Sequence, residues 1–184
     1  MTVEARITPV WKKQKLLLAI LLIGFGAWFA FDGAIGWPKS NERWREHERL
    51  KGEDGKWEEF AKEKGWSTAP PHRLYESKDI LGQYVIGGLC ATLGLATLIY
   101  WLSQVSRTLR MDDEAVFTAS GVRVPFPSIV GVGKKLWESK GIAKVRYTLD
   151  GKQGEFIVDD YKFDTKPTRE ILEEIEKRLL SKAG

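Results

Sequence analysis

The sequence predicts an α+β membrane protein: a two-helix transmembrane hairpin and a small antiparallel β domain closed by a C-terminal helix. Three observations carry this. Two apolar runs without a charge are each long enough to cross a bilayer, the pattern turns to short alternating runs after Ser103, and the chain finishes on one amphipathic stripe.

The second run, Ile80 to Leu102, holds 23 residues without a charge. At roughly 1.5 Å per residue it covers about 34 Å, enough for a hydrocarbon core of about 30 Å. The first, Leu16 to Phe31, is uncharged for 16 residues and needs GAIGWP to reach a full span, which places it at 16–37 with Asp32 near the exit. Trp28, Trp37, Tyr100 and Trp101 fall near the span ends, where amphipathic rings favour the headgroup zone. A cleavable signal peptide would also begin with basic residues and an apolar run. The bulky AWFAFDGAIGW that follows lacks the small residues a cleavage site wants, which favours an uncleaved anchor.

Lys and Arg near the spans set the orientation. Arg6, Lys12, Lys13 and Lys15 precede the first span, while Arg107 and Arg110 follow the second, so both termini are expected on the cytoplasmic side of an inner membrane. Residues 1–15 then form a cytoplasmic segment, 38–79 an extracytoplasmic loop, and 103–184 a cytoplasmic domain. The formal net charge of +4 is no nucleic-acid footprint, because residues 103–184 carry 15 Lys/Arg against 13 Asp/Glu without a clustered basic face. Cys90 has no partner for a disulfide, and His47 and His72 have no ligand set around them, so neither metal nor cofactor is expected.

From Pro38 to Asp79 the loop interleaves 10 basic with 10 acidic residues, the pattern of solvated helices. Two short helices are expected, the first carrying Trp44 and His47 and the second Trp57 and Phe60, parted by a turn at Gly52 to Gly55 and ended by APPH. Trp44, Trp57, Phe60 and Trp66 either dock a partner or pack the hairpin on itself, and a short stripe favours self-packing.

Beyond SQVSRTLR, short strands are expected at Glu114 to Ala119, Val122 to Phe126, Ser128 to Gly133, Ile142 to Leu149 and Gly154 to Asp159, with a tight turn at Asp150 and Gly151. A helix follows, capped at Asp164 or Thr165, with Pro167 in its first turn. It buries Ile171, Leu172, Ile175, Leu179 and Leu180. DDYKF, Asp159 to Phe163, reads as a solvated strand end. Neighbouring strand residues point to opposite faces, so its two carboxylates do not make one site.

This layout, with EAVFTASGVRVPFPSIVGV, the DGK turn and the ending ILEEIEKRLL, resembles the bacterial PH-like domains attached to membrane spans, over residues 111–181. The resemblance implies a binding or scaffolding module, no enzyme and no fixed site residues. Such a fold has seven strands, and five or six are recognisable here.

Two sets of residues stand out as contacts. Lys134, Lys135, Trp137 and Lys140, in KKLWESKG, would meet lipid headgroups or a partner protein if the loop lies beside the membrane, whereas a solvated loop would fold Trp137 back onto the sheet. Gly87, Gly88, Ala91 and Thr92 give small-residue spacings for close helix packing, between the two spans or in a homo-oligomer. The function expected is that of a non-enzymatic membrane scaffold or adaptor binding a protein partner or the membrane surface. The alternative is an accessory subunit of a membrane transporter or enzyme complex, docking through the spans and outer loop.

Overall fold

The computed structural model describes residues 2–53 and 56–183. It divides into two compact units, residues 1–17 with 98–184, and residues 18–97.

The first unit is a β domain assembled from both ends of the chain. Strand β1 (Val3–Arg6) has the sequence VEAR and buries Val3 and Ala5 while Glu4 and Arg6 face solvent. It pairs antiparallel with β2 (Thr108–Met111), with Val3 opposite Met111 and Arg6 opposite Thr108. β2 continues to β3 (Ala115–Phe117) and β3 to β4 (Arg123–Pro125), giving a four-stranded sheet in the order β1-β2-β3-β4. A second antiparallel sheet holds β5 (Ile129–Leu136), β6 (Ile142–Leu149) and β7 (Lys152–Asp159).

Each turn has a local cause. Asp112 Oδ1 accepts the Glu114 and Ala115 N–H groups at 2.9 Å each and so shapes the β2–β3 connection. The Glu114 N–H first, then that of Ala115, holds this carboxyl below its ordinary pKa. Between β6 and β7 only Asp150 and Gly151 intervene, with φ of 52° and 75°, the doubly left-handed two-residue turn expected from the DG pair.

Helix α6 (Thr165–Ala183) closes the domain. Ile171, Leu172 and Ile175 are buried on it beside Leu109, Val116, Val145, Val158 and Phe163. Each such side chain contributes roughly 1.5–3 kcal/mol on leaving water. Leu179 joins this core at its edge, but Leu180 is 75% exposed, so the buried stripe is narrower than expected. Near the start of α6 the backbone N–H and hydroxyl of Thr168 both donate to the Asp164 carbonyl, at 3.1 and 2.8 Å.

Two apolar helices join this unit to the next. α1 (Pro9–Phe31) passes through a π-helical turn, Asp32–Gly36, into α2 (Trp37–Arg49), so residues 9–49 make one uninterrupted helix. Pro38 offers no N–H to continue the ladder, and at this point the Trp37 N–H donates to the Asp32 carbonyl, one residue further back than in an α-helix. α4 (Ser77–Gln104) is the second. Both are long and apolar enough to cross a membrane, and their most apolar windows are only 17% and 11% buried.

In the second unit, α3 (Lys56–Glu63) supplies the helix expected around Trp57 and Phe60. The turn placed at Gly52 to Gly55 lies partly outside the described residues. Trp57 is buried, donates from Nε1 to the Thr68 carbonyl at 2.7 Å and meets His47 edge-on, while Phe60 and Trp66 pack edge-to-face. This aromatic group packs on itself.

Two strands were not foreseen, and they change the organisation. The segment expected over residues 1–15 contains Val3–Arg6, a strand of the domain whose remainder begins after α4. VEAR and TLRM have only four residues each, too few for periodicity to separate them from their flanks.

Candidate functional site

The sequence pointed to KKLWESKG. Lys134 and Lys135 lie on β5 itself, which extends to Leu136, and Trp137–Lys140 forms a single helical turn, α5, ended by Gly141 at φ 65°. Trp137 is half-buried and packs against the hydrophobic core, Lys134 pairs with Glu176 on α6 at 3.1 Å, and Lys135 and Lys140 are exposed. The cavity beside this turn, about 430 Å³, is lined by Glu138, Asp160, Glu173 and Glu176 as well as Lys134 and Arg169. Arg169 binds Asp160 Oδ2 through Nε and Nη2 at 2.9 and 2.8 Å, so the second carboxylate of DDYKF fastens α6 to the end of β7. Of the four predicted contact residues, Lys134 and Trp137 line this cavity together with carboxylates of α6, whereas Lys135 and Lys140 are exposed.

The small residues of α4 separate into two faces. A Cβ at Gly87 would stand 3.1 Å from the Gly26 carbonyl oxygen and from Phe29 Cβ, and Gly26 itself faces Ala91 at 2.9 Å. Gly94, one turn on, faces Ile23 at 2.8 Å. Gly87, Ala91 and Gly94 thus form the seam with α1. Gly88 has nothing within 4 Å of a Cβ, and Thr92, whose hydroxyl donates to the Gly88 carbonyl, is exposed with it. Neighbours one residue apart lie about 100° apart around a helix, so one pair packs and the other looks outward.

A third place was not singled out from the sequence. Where α1 begins and α4 ends, a cavity of about 520 Å³ is lined by Trp11 and Lys15 of α1, Tyr100 of α4, Arg107, and the Lys162–Phe163 segment after β7. Lys162 is its centre. Its Nζ donates to Gln104 Oε1 at 2.7 Å and lies 5.3 Å from the Trp11 ring centroid, 5.9 Å from that of Tyr100 and 5.6 Å from that of Phe163. Withdrawal from water lowers the pKa of Lys162 below its ordinary value; Asp159 opposes that shift and Arg107 adds to it.

The backbone here is tightly organised. The Trp101 indole donates to the Lys12 carbonyl at 3.0 Å, Thr8 N–H donates to the Lys162 carbonyl at 2.9 Å, and Ile7 bridges to Phe163. Asp159 Oδ1 accepts the N–H groups of Tyr161 and Lys162 at 3.0 and 2.9 Å. Lys15 and Arg107 were visible in the sequence as orientation cues, but nothing there could bring Lys162 to them across the chain.

Comparison with known proteins adds no name: no family model, no curated protein and no solved structure matches this chain.

Proposed function

We propose that this is a non-enzymatic integral membrane protein whose β domain serves as a scaffold or adaptor on the cytoplasmic side, binding a protein partner or the membrane surface. The observation that carries the reading is that α1 and α4, apolar and largely exposed, are bracketed by β1 and β2 of one sheet. Side chains such as Leu21, Phe25, Leu89 and Leu93, each half or more exposed, favour a bilayer as their surroundings. The four-stranded and three-stranded antiparallel sheets with a C-terminal helix support a PH-like domain, since β1 brings the strand number to seven. In this reading the span pair is an insertion between the first and second strands.

The accessory-subunit reading has its own support in Gly88 and Thr92, an exposed small-residue strip that another protein's helix can approach closely. Two measurements test the proposal. Replacing Cys90 with Ala and introducing single cysteines at Ser67 or Ser181 tests topology: Ser67→Cys is expected to react with an impermeant maleimide from outside intact cells, and Ser181→Cys only after permeabilisation. Release of the protein by alkaline carbonate would overturn membrane insertion. Crosslinking of partners in the membrane, lost on disrupting the β domain but kept in Gly88→Leu, favours the adaptor, and the reverse pattern favours the subunit.

A further inference from the structure

We infer that the cavity between the start of α1, the end of α4 and the Lys162 segment is a binding site for the phosphate of an anionic phospholipid headgroup. The inference rests on the reading that α1 and α4 lie in a bilayer.

Charge bookkeeping inside the β domain points to an anion. Three cations line the cavity, Lys15, Arg107 and Lys162, and none has a carboxylate within 4 Å among the described residues. Two carboxylates, Glu155 and Asp159, share the lining. Glu155 pairs with Lys144 at 2.9 Å, and Asp159 Oδ1 accepts two backbone N–H groups. Three cations against two carboxylates leave the lining net positive, Asp159 offsets only part of the repulsion between Arg107 and Lys162, and an anion placed among them relieves the rest.

Donor geometry suits phosphate. Lys162 spends one of its three N–H donors on Gln104 and is fixed over three aromatic rings, which leaves two donors. Arg107 Nε donates to the Ser103 carbonyl at 2.8 Å, while its terminal nitrogens make no hydrogen bond among the described residues. Guanidinium and ammonium groups converging from separate elements match the several oxygens of a phosphate. Ser120, from the β3–β4 turn, also lines the cavity, its hydroxyl hydrogen-bonded to that of Thr118 at 2.9 Å.

The surroundings point to a lipid as the source. Leu17 of α1, Ile99 and Leu102 of α4, and Ile157 of β7 are 57%, 66%, 58% and 51% exposed in this same unit, and Ile157 lines the cavity. Trp11, Tyr100 and Trp101 are the amphipathic residues expected at headgroup depth. A ligand with a phosphate at one end and acyl chains at the other satisfies both the cations and this apolar rim. In KKLWESKG only Lys134 lines a cavity, and there it pairs with Glu176 beside Glu138 and Glu173.

The test uses the full-length protein in nanodiscs of neutral phosphatidylcholine with or without phosphatidylglycerol, and native mass spectrometry of the protein released from them. Retained phosphatidylglycerol is expected for wild type, falling about fivefold for each cation removed in Lys15→Gln, Arg107→Gln or Lys162→Gln. Lys135→Gln and Lys140→Gln should leave it unchanged. Trp11 fluorescence, read in a variant with the other tryptophans outside the cavity replaced by Phe, should respond to phosphatidylglycerol and not to millimolar inorganic phosphate. An equal response to inorganic phosphate would overturn the lipid assignment. Wild-type protein that resists carbonate extraction but retains no anionic lipid overturns the site and leaves the membrane reading intact, whereas extraction by carbonate removes the membrane reading itself. Should a variant misfold, the wild-type comparison between the two nanodisc compositions decides alone.

Discussion

Ala5 lies directly opposite Leu109 in the β1–β2 ladder, and neither side chain is exposed to solvent, although both apolar helices separate them in the sequence. The first residues of the chain are therefore structural members of the β domain. Ala5→Asp places an unpaired carboxylate in this core and should cost roughly 3 kcal/mol or more, enough to unfold the domain. Glu4→Ala, on the exposed face of the same strand, should change stability by less than about 0.5 kcal/mol. Limited proteolysis after β2 separates the two outcomes, with rapid cleavage expected only in Ala5→Asp.

The seam between α1 and α4 makes an asymmetric prediction. Gly94→Leu drives a side chain into Ile23, whose backbone nitrogen is only 2.9 Å from the Cβ position, so the helices must part. Gly88→Leu meets nothing within 4 Å. Thermal unfolding in mild detergent should drop by several degrees for the first and stay within about a degree for the second, following losses of about 1–3 kcal/mol for overpacking. Equal losses would show that the two faces are not distinct.

Asn41, buried on α2, is a two-way clamp. Its Nδ2 donates to the Tyr75 carbonyl at 2.8 Å, and its Oδ1 accepts the Tyr75 N–H at 2.7 Å. The Tyr75 ring stacks on Trp37 at 4.3 Å, so one residue fastens the extended APPH stretch to the helix. Asn41→Ala leaves two backbone groups without partners and should cost about 1–3 kcal/mol locally. Hydrogen exchange at the Tyr75 amide should accelerate by about tenfold or more, while β6 and β7 amides stay protected.

Lys162 sets a pH dependence whose sign differs from that of an ion-paired lysine. Its pKa in the folded protein is depressed, chiefly by withdrawal from water, with Arg107 adding to the shift and Asp159 opposing it. The unfolded chain then holds the proton at pH values where the folded chain has released it. Stability contributed at this site therefore rises as pH climbs from the depressed value towards the ordinary 10.5. Lys15, Tyr100 and Glu155 also face the cavity, so the informative quantity is the difference between proteins: the wild type minus Lys162→Met stability curve should slope upward as pH approaches 10.5 from below. A flat difference would show that Lys162 is fully hydrated.

Much of the architecture could be read directly. Uninterrupted apolar runs mark α1 and α4 because lipid-length helices need no other signal, and DG between alternating runs fixes the β6–β7 turn because both residues accept positive φ. Strands β1 and β2 escaped because their pairing is non-local and their alternation covers only four residues. The outer small pair Gly88 and Thr92 looked equivalent to Gly87 and Ala91 until a partner helix distinguished the faces. The Lys162 cavity was hidden for the same reason as β1: its cations lie in three separate segments, and only the folded domain brings them together.

On the reading that α1 and α4 cross a bilayer, the β1–β2 ladder also acts as a parity check on that crossing. β1 emerges first and waits unpaired until β2 has been made, and their ladder can form only if both are on one side of the bilayer. An odd number of crossings leaves Ala5 and Leu109 on opposite sides, without each other, and the domain open to proteolysis. On the same reading, completion of the domain excludes a single crossing.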